Sequence, residues 1–317
     1  MYSLPETKPP MMRGLGFASW AEAEAAKTRN AAAMSKRMAE HLEGGSGRLA
    51  GRDSNADDGA GAMGALRENT LLGGAVRMNQ AARGYRSAID PVFLAAAVPA
   101  RAGERVLELG LGVGAAALCL ARRVSGCRIT GIERDAQACE LARANAALNG
   151  FAGRIEVLVG DVTRAPRALG GFDHAMANPP HLSAARADMG RPGQAPAANV
   201  EDGPGTLEAW IACARRALAP GGSFTLVHRA DRLDDILAHL RSGFGSGVVF
   251  PLWPKSGTPA KRVLVQAWKG ARGPVGVAPG LVLHQADGAY TQGAEDILRA
   301  GAALDLAGAI GRGRRAH

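Results

Sequence analysis

The run Asn178-Pro179-Pro180-His181 has residue types that could carry out a reaction. Proline has no N–H group and stops regular strands and helices, so the run ends the element that precedes it. Pro179 also restricts Asn178 to an extended backbone. The Asn178 side-chain oxygen and a nearby backbone carbonyl can therefore converge on a planar amine with two N–H groups. Accepting both protons frees the nitrogen lone pair for attack on a methyl group.

A glycine-rich turn lies earlier in the chain and suits a bound ligand. Its alternating glycines let the backbone approach that ligand closely: Gly110, Gly112 and Gly114. The spacing differs from the G-x-G-x-x-G of dinucleotide sites, and Glu108 stands just before it. A carboxylate repels a pyrophosphate but tolerates a cationic methionine group, so the turn favours S-adenosylmethionine over NAD.

Two further acids follow at matching positions. Glu133 stands 23 residues after Gly110, where a carboxylate can accept both ribose hydroxyls of a nucleoside. Asp161 comes after the next apolar run and can meet an adenine edge. These acids complete a candidate nucleoside site.

Alternating strands and helices must position these residues. The pattern predicts strands at 105–109, 128–133, 154–159, 172–177 and 223–228, and a terminal pair at 248–250 and 262–268. It predicts helices at 115–124, 135–149, 207–218 and 233–240, and a helix with Asp90 as N-cap and Pro91 at its first position. Such alternation indicates a parallel sheet with helices on both faces, where ligands bind at the carboxyl ends of the strands.

Composition excludes several classes of protein. The chain of 317 residues is 47% hydrophobic, which excludes wholesale disorder, and the apolar run at 92–100 is too short to span a membrane. No signal peptide is visible, so we expect a cytoplasmic protein. The cysteines form no C-x-x-C pair, and we expect neither a disulfide framework nor a metal site.

These motifs resemble class I S-adenosylmethionine-dependent methyltransferases of the N-P-P-(aromatic) group. Three stretches, 71–77, 84–94 and 259–267, resemble more narrowly the bacterial tRNA(Val) adenine-N6 methyltransferase family. The resemblance covers residues 68–300. It implies a Rossmann-like α/β fold: a doubly wound, mostly parallel sheet of seven strands with the last strand antiparallel.

The resemblance also implies roles for the candidate residues. Glu108 and the glycines would hold the methionine end of the cofactor, Glu133 the ribose, Asp161 the adenine and Asn178 the target amine. His181 stands where the family has Tyr or Phe, and its ring would stack on the flipped base with less area. The implied partner is RNA, with tRNA favoured, and we expect a monomer.

The charge distribution fits a polyanionic partner. The net charge is +9, and residues 251–317 hold nine basic residues against four acidic ones. We expect phosphate contacts from Lys255, Lys261 and Arg262, joined by Lys269 and by Arg312, Arg314 and Arg315 of the tail.

Other functions remain open at this point. The same N-P-P geometry serves protein glutamine N-methyltransferases and rRNA guanine-N2 methyltransferases. A different class is a catalytically dead methyltransferase fold that binds RNA, against which the intact N-P-P run and Glu133 argue. A nicotinamide oxidoreductase would leave the N-P-P run unexplained.

The domain organisation has three parts. Residues 1–65 form an extension that we expect to be disordered, because it carries eight basic and eight acidic residues and few large apolar ones. The methyltransferase domain spans 66–303, and a basic tail spans 304–317.

The extension should be dispensable for cofactor binding. A chain that starts at Leu66 should fold and keep its affinity for S-adenosylhomocysteine, because residues 1–65 offer little apolar surface for packing. Circular dichroism and calorimetric titration of the truncated and full chains test this. Loss of folding on truncation would show that the extension packs on the core.

Overall fold

The computed structural model describes residues 66–81, 89–166, 168–180, 182–183, 200–201 and 206–311. The chain divides into two units at Gly61 and Ala62, and every described residue belongs to the second unit. The predictions for residues 1–65, for His181 and for Arg312, Arg314 and Arg315 lie outside the described residues.

Two short hairpin strands, β1 (Leu66–Leu71) and β2 (Val76–Ala81), begin the described chain. The main sheet contains β3 (Arg105–Leu109), β4 (Arg128–Glu133), β5 (Ile155–Val159) and β6 (Phe172–Ala177). A separate parallel pair, β7 (Leu182–Ser183) and β8 (Val200–Glu201), follows. The main sheet continues with β9 (Leu218–Arg229), β10 (Phe244–Trp253), β11 (Arg262–Lys269), β12 (Gly276–Val277) and β13 (Leu281–Val282).

The main sheet has nine strands, so the expected number of seven is wrong. Its order is β5-β4-β3-β6-β9-β11-β10-β12, with β13 also paired to β10. Seven long strands account for the expectation, and the two-residue strands β12 and β13 add to them by lining β10 in parallel. They cover a strand that would otherwise be an open edge. As expected, β11 runs antiparallel to both of its neighbours.

Helices cover both faces of the sheet. They are α1 (Asp90–Ala97), α2 (Ala115–Arg123), α3 (Ala136–Leu148), α4 (Thr206–Ala217), α5 (Leu233–Leu240) and α6 (Gln292–Leu298). The apolar residues of α1, α2, α3 and α6 share one core cluster, and those of α4 and α5 share the other. The expected Rossmann-like α/β class is confirmed.

Two local predictions need correction. Helix α4 ends at Ala217, and β9 begins at Leu218, five residues before the predicted strand. The strand includes Pro220-Gly221-Gly222, which was predicted to separate the two elements. The pairing of β9 with β6 has an irregular register in this region. The residue before α1 is Ile89, with no side-chain cap. Asp90 is the first helical residue instead, and its carboxylate accepts a 2.8 Å hydrogen bond from Arg262 Nε.

The four cysteines belong to the buried core. Cys119, Cys127, Cys139 and Cys213 are all buried with free thiols, and burial raises the pKa of Cys119 to about 12.

Within the described part of the chain, no helix is long and apolar enough to cross a membrane. The same residues contain no group of three or more His, Cys, Asp or Glu side chains placed to hold a metal.

Candidate functional site

Strand register brings most of the predicted site residues to one edge. Leu109 is level with Ile132 of β4 and with Ala177 of β6. Gly110, Glu133 and Asn178 each follow one position later, at the carboxyl ends of three adjacent strands. Because neighbouring strands lie about 4.8 Å apart, Glu133 and Asn178 are separated by about 10 Å across the edge. This gap is the candidate site.

The glycine turn is shaped by left-handed backbone angles. Gly110 has φ +67°, and a Cβ there would lie 2.4 Å from Cη2 of Trp210, which packs beneath the turn from α4. Gly112 has φ +54°, and a Cβ there would meet no atom within 4 Å. Only glycine fits the first position, and the second leaves open space beside the backbone.

Glu133 is held in place by two backbone N–H groups. Gly112 N donates to Oε2 at 2.8 Å, and Asp135 N donates to Oε1 at 2.9 Å. Each carboxylate oxygen keeps a further lone pair for an outside donor. The carboxylate therefore presents a fixed pair of acceptors to a ligand such as a diol.

Glu108 is a buried acid beneath the turn. It is 3% exposed, and its Oε2 atom has no hydrogen-bond partner among the described residues. Burial raises the pKa of Glu108 well above its ordinary value; the Ala117 N–H opposes this and the charge of Glu133 adds to it. A cation bound nearby would stabilise the ionised form.

Asp161 and Val159 lie at the end of β5. The Thr163 hydroxyl and N–H donate to Asp161 Oδ1 at 2.7 and 2.8 Å, and these bonds lower the pKa of that carboxyl. Val159 is 57% exposed, which is unusual for a large apolar side chain at a strand end. An ionised acid beside an apolar surface suits a planar base with amine hydrogens.

Asn178 carries a buried acceptor without a partner. Its Oδ1 atom is buried from solvent and receives no hydrogen bond from the described residues. Pro179 is buried and Pro180 half-buried. Leaving such an acceptor unpaired costs about 1–3 kcal/mol, and a bound amine would remove that cost.

The residues present fit S-adenosylmethionine. Glu108, Glu133 and Asp161 place three acids around the glycine turn, and the orphaned Glu108 oxygen suits a cation. The same acids would repel a pyrophosphate. The open side of Gly112 leaves room for the ligand's approach.

Three of the predicted phosphate-binding residues, Lys255, Lys261 and Arg262, share this edge but lie on the other half of the sheet. Arg262 pairs with Arg229 of β9 and with Leu252 of β10, just beyond the level of Ala177. Lys255 and Lys261 are exposed in the segment between β10 and β11. Arg262 is bound to Asp90, and Lys255 Nζ donates to Ala286 O at 3.1 Å. Lys269 lies at the opposite edge, where its ammonium donates to Leu218 O.

Sequence reasoning missed Asn145 on α3. Its Oδ1 accepts from Asn79 N at 2.8 Å, and its Nδ2 donates to Asn79 O at 2.9 Å and to Val113 O at 3.0 Å. Asn149 binds the backbone of Arg77 in the same way, at 2.9 and 2.7 Å. Four residues of helix and two residues of strand both span about 6 Å. Asn145 and Asn149 are therefore spaced to bind the backbones of Asn79 and Arg77.

Asn145 alone of this pair reaches the glycine turn. The signal in the sequence was two asparagines four residues apart, which a helix places on one face. The side chain is fully buried. It ties β2 to the turn that carries Gly112.

Comparisons with known proteins agree with this geometry. The profile of a methyltransferase domain family matches residues 106–190. A tRNA1(Val) (adenine(37)-N6)-methyltransferase of Aeromonas hydrophila is 30% identical over 210 residues, which cover 64% of this chain and 84% of the relative. The enzyme of the same name from Porphyromonas gingivalis is 34% identical over 137 residues, 42% of this chain, and the match spans about half of the relative, 52%.

A solved structure shares the fold. The crystal structure described as a predicted O-methyltransferase from Agrobacterium tumefaciens is 30% identical, with a TM-score of 0.58. The match covers 68% of this chain and 98% of that one.

The fold and the site define a class I methyltransferase that uses S-adenosylmethionine. Within that class, the chain belongs to the family of bacterial tRNA1(Val) (adenine(37)-N6)-methyltransferases.

Replacing Glu108 by Gln should change how the stability of the protein depends on pH and should weaken its binding of cofactor. The native carboxyl keeps its proton above pH 4.5, where the unfolded one has lost it, so wild-type stability falls as pH rises from there. Glu108→Gln does not titrate, so its melting temperature should rise relative to that of wild type as the pH increases above 4.5. Calorimetric titration at neutral pH should show weaker S-adenosylhomocysteine binding. A pH-independent difference in melting temperature would contradict this account.

Asn145 and Asn149 provide a matched pair of variants. Asn145→Ala should lower the free energy of unfolding by about 1–3 kcal/mol, because part-buried backbone groups lose their partners. Asn149→Ala should lower it less, by about 0.5–1.5 kcal/mol, because its bonds to Arg77 are exposed. Only Asn145→Ala should weaken S-adenosylhomocysteine binding, since only Asn145 contacts Val113 O. Denaturant titration and calorimetry measure the two effects. Equal loss of cofactor affinity in both variants would remove the special role of Asn145.

Proposed function

We propose that this protein transfers one methyl group from S-adenosylmethionine to the exocyclic N6 amine of an adenine in tRNA. The names of the two relatives described above state that they methylate N6 of an adenine in tRNA. The net charge of +9 suits a polyanionic substrate such as RNA. A tRNA substrate also places the reaction in the cytoplasm.

The observation that carries this proposal is the buried Oδ1 atom of Asn178, which receives no hydrogen bond from the described residues. An acceptor at the end of β6 suits a donor that arrives with the substrate. An amine offers two N–H groups, whereas the hydroxyl of an O-methylation substrate offers one. The buried Asn178 oxygen and the carbonyl of Pro179 can accept both protons of the amine.

The remaining site residues hold the other reactant. S-adenosylmethionine supplies an electrophilic methyl group next to its sulfonium. Glu133 would accept the ribose hydroxyls and Asp161 the adenine amine, while Glu108 and the open backbone at Gly112 would face the methionine end. This arrangement occupies the half of the edge formed by β3, β4 and β5, and it leaves Asn178 at the boundary with the other half.

Accepting hydrogen bonds also activates the target. The lone pair of an adenine amine is conjugated with the ring, and two accepted protons draw the nitrogen towards tetrahedral geometry. The lone pair then points at the methyl carbon, a C–N bond forms as the C–S bond breaks, and the extra proton leaves the nitrogen to water. The target base must first leave its stack, at a cost of a few kcal/mol.

Asn178→Ala should lower turnover about 10²–10³-fold, by analogy with the loss of one hydrogen-bonding group aimed at charge that develops in the transition state. Affinity for S-adenosylhomocysteine should stay unchanged, and Asn178→Asp should retain more activity because it keeps an acceptor oxygen. The assay incubates wild type and variants with bulk tRNA and methyl-labelled cofactor, then separates the nucleosides. Label on guanosine, or on a protein glutamine with none on adenosine, would assign a different substrate.

A further inference from the structure

A short hairpin, 283–291, extends the carboxyl edge beyond β10. Leu283 N donates to Trp253 O at 2.8 Å and His284 N to Pro254 O at 3.0 Å, so the hairpin leaves the sheet alongside the end of β10. Thr291 N returns to Leu283 O, and Gln285 N to Ala289 O. Sequence analysis assigned no element here.

The hairpin carries two stacked rings. The His284 and Tyr290 ring centroids lie 4.5 Å apart with planes 24° apart. His284 Nδ1 lies 3.0 Å from Gly288 O, and because a carbonyl only accepts, Nδ1 carries the proton and the ring is oriented. Both residues are half-buried, and Tyr290 is the only tyrosine among the described residues.

The hairpin lies at the end of the sheet edge that remains free for the RNA substrate. Candidate cofactor residues occupy the edge at β3, β4 and β5, so the half left for RNA attached to a base at Asn178 lies over β9, β11 and β10. Strand spacing puts β10 and β13 about 14 and 19 Å from β6. Exposed Lys255 and Lys261 lie along this path, and the hairpin lies at its end.

We propose that the His284–Tyr290 pair is a stacking surface for an unpaired nucleotide of the RNA substrate that lies outside the target base. This proposal rests on the proposed function. Unpaired bases stack on aromatic side chains in RNA recognition, and the contact is tolerant of sequence. It would select RNA whose target base stands in a loop, because a continuous duplex would offer no free neighbouring base.

Local charge assigns phosphates to another part of the path. Asp287 stands at the exposed tip, where its Oδ1 accepts from Ala289 N at 2.9 Å. This acid disfavours phosphates at the tip, and the Lys255 ammonium beside it donates to the carbonyl of Ala286 in the same turn. The rings are therefore assigned to a base, and Lys261, in the segment between β10 and β11, to the backbone.

The test compares binding of labelled bulk tRNA to full-length variants. Tyr290→Ala should weaken binding about 5- to 100-fold, the effect of losing one stacked base. Tyr290→Phe should bind like wild type because it keeps the ring. Gln285→Ala removes the 3.1 Å bond from Gln285 Nε2 to Tyr290 O and controls for a loosened hairpin. It should bind better than Tyr290→Ala.

The salt dependence of binding separates stacking from charge. Lys261→Ala should reduce the slope of log K against log salt by about one unit, and Tyr290→Ala should leave the slope unchanged. In the methylation assay, Tyr290→Ala should raise KM for tRNA and keep kcat and S-adenosylhomocysteine affinity.

Two results would overturn the proposal: tRNA binding by Tyr290→Ala equal to wild type, or equal weakening in Tyr290→Ala and Gln285→Ala. Failure of the proposed function looks different, because wild type itself would then place no label on tRNA adenosine.

Discussion

The parallel pairing of β4, β3 and β6 is the constraint on which the site depends. Parallel strands end at the same edge, and the register keeps Leu109, Ile132 and Ala177 level. Gly110, Glu133 and Asn178 each come one position after this row, where the three strands end. A shift of one residue in any strand would turn its side chains to the other face and separate Glu133 or Asn178 from the turn.

The site keeps polar atoms in states that are unfavourable without ligands. Glu108 Oε2 and Asn178 Oδ1 are both buried without partners among the described residues. Glu133, by contrast, is fixed by two N–H groups. The first two store interaction energy for a cation and an amine, and the third is already oriented for a diol. The candidate site therefore combines one carboxylate that is already oriented with two polar atoms that depend on ligands for their partners.

The two halves of the carboxyl edge differ in charge. Acids surround the glycine turn on β3, β4 and β5, and lysines lie between β10 and β11. In the proposed function, this division separates the cationic cofactor from the polyanionic substrate and leaves Asn178 where they meet. Arg262 differs from the lysines because its guanidinium is bound to Asp90, which fastens α1 to β11 at this edge.

Local signals determined much of the fold and the site. Apolar runs between glycine and proline residues predicted the long strands. The N-P-P run and the glycine spacing marked the two turns of the candidate site before any register was known. The limits of α5 were predicted without error.

Tertiary structure decided what depends on distant partners. The capping role predicted for Asp90 gave way to a bond with Arg262, 172 residues away. The clamp between Asn145 and β2, the buried acceptor of Asn178 and the addition of β12 and β13 to β10 all require segments that meet only on folding. Local sequence patterns report the conformational preferences of neighbouring residues, whereas these contacts are chosen by burial and hydrogen-bond geometry across the whole domain.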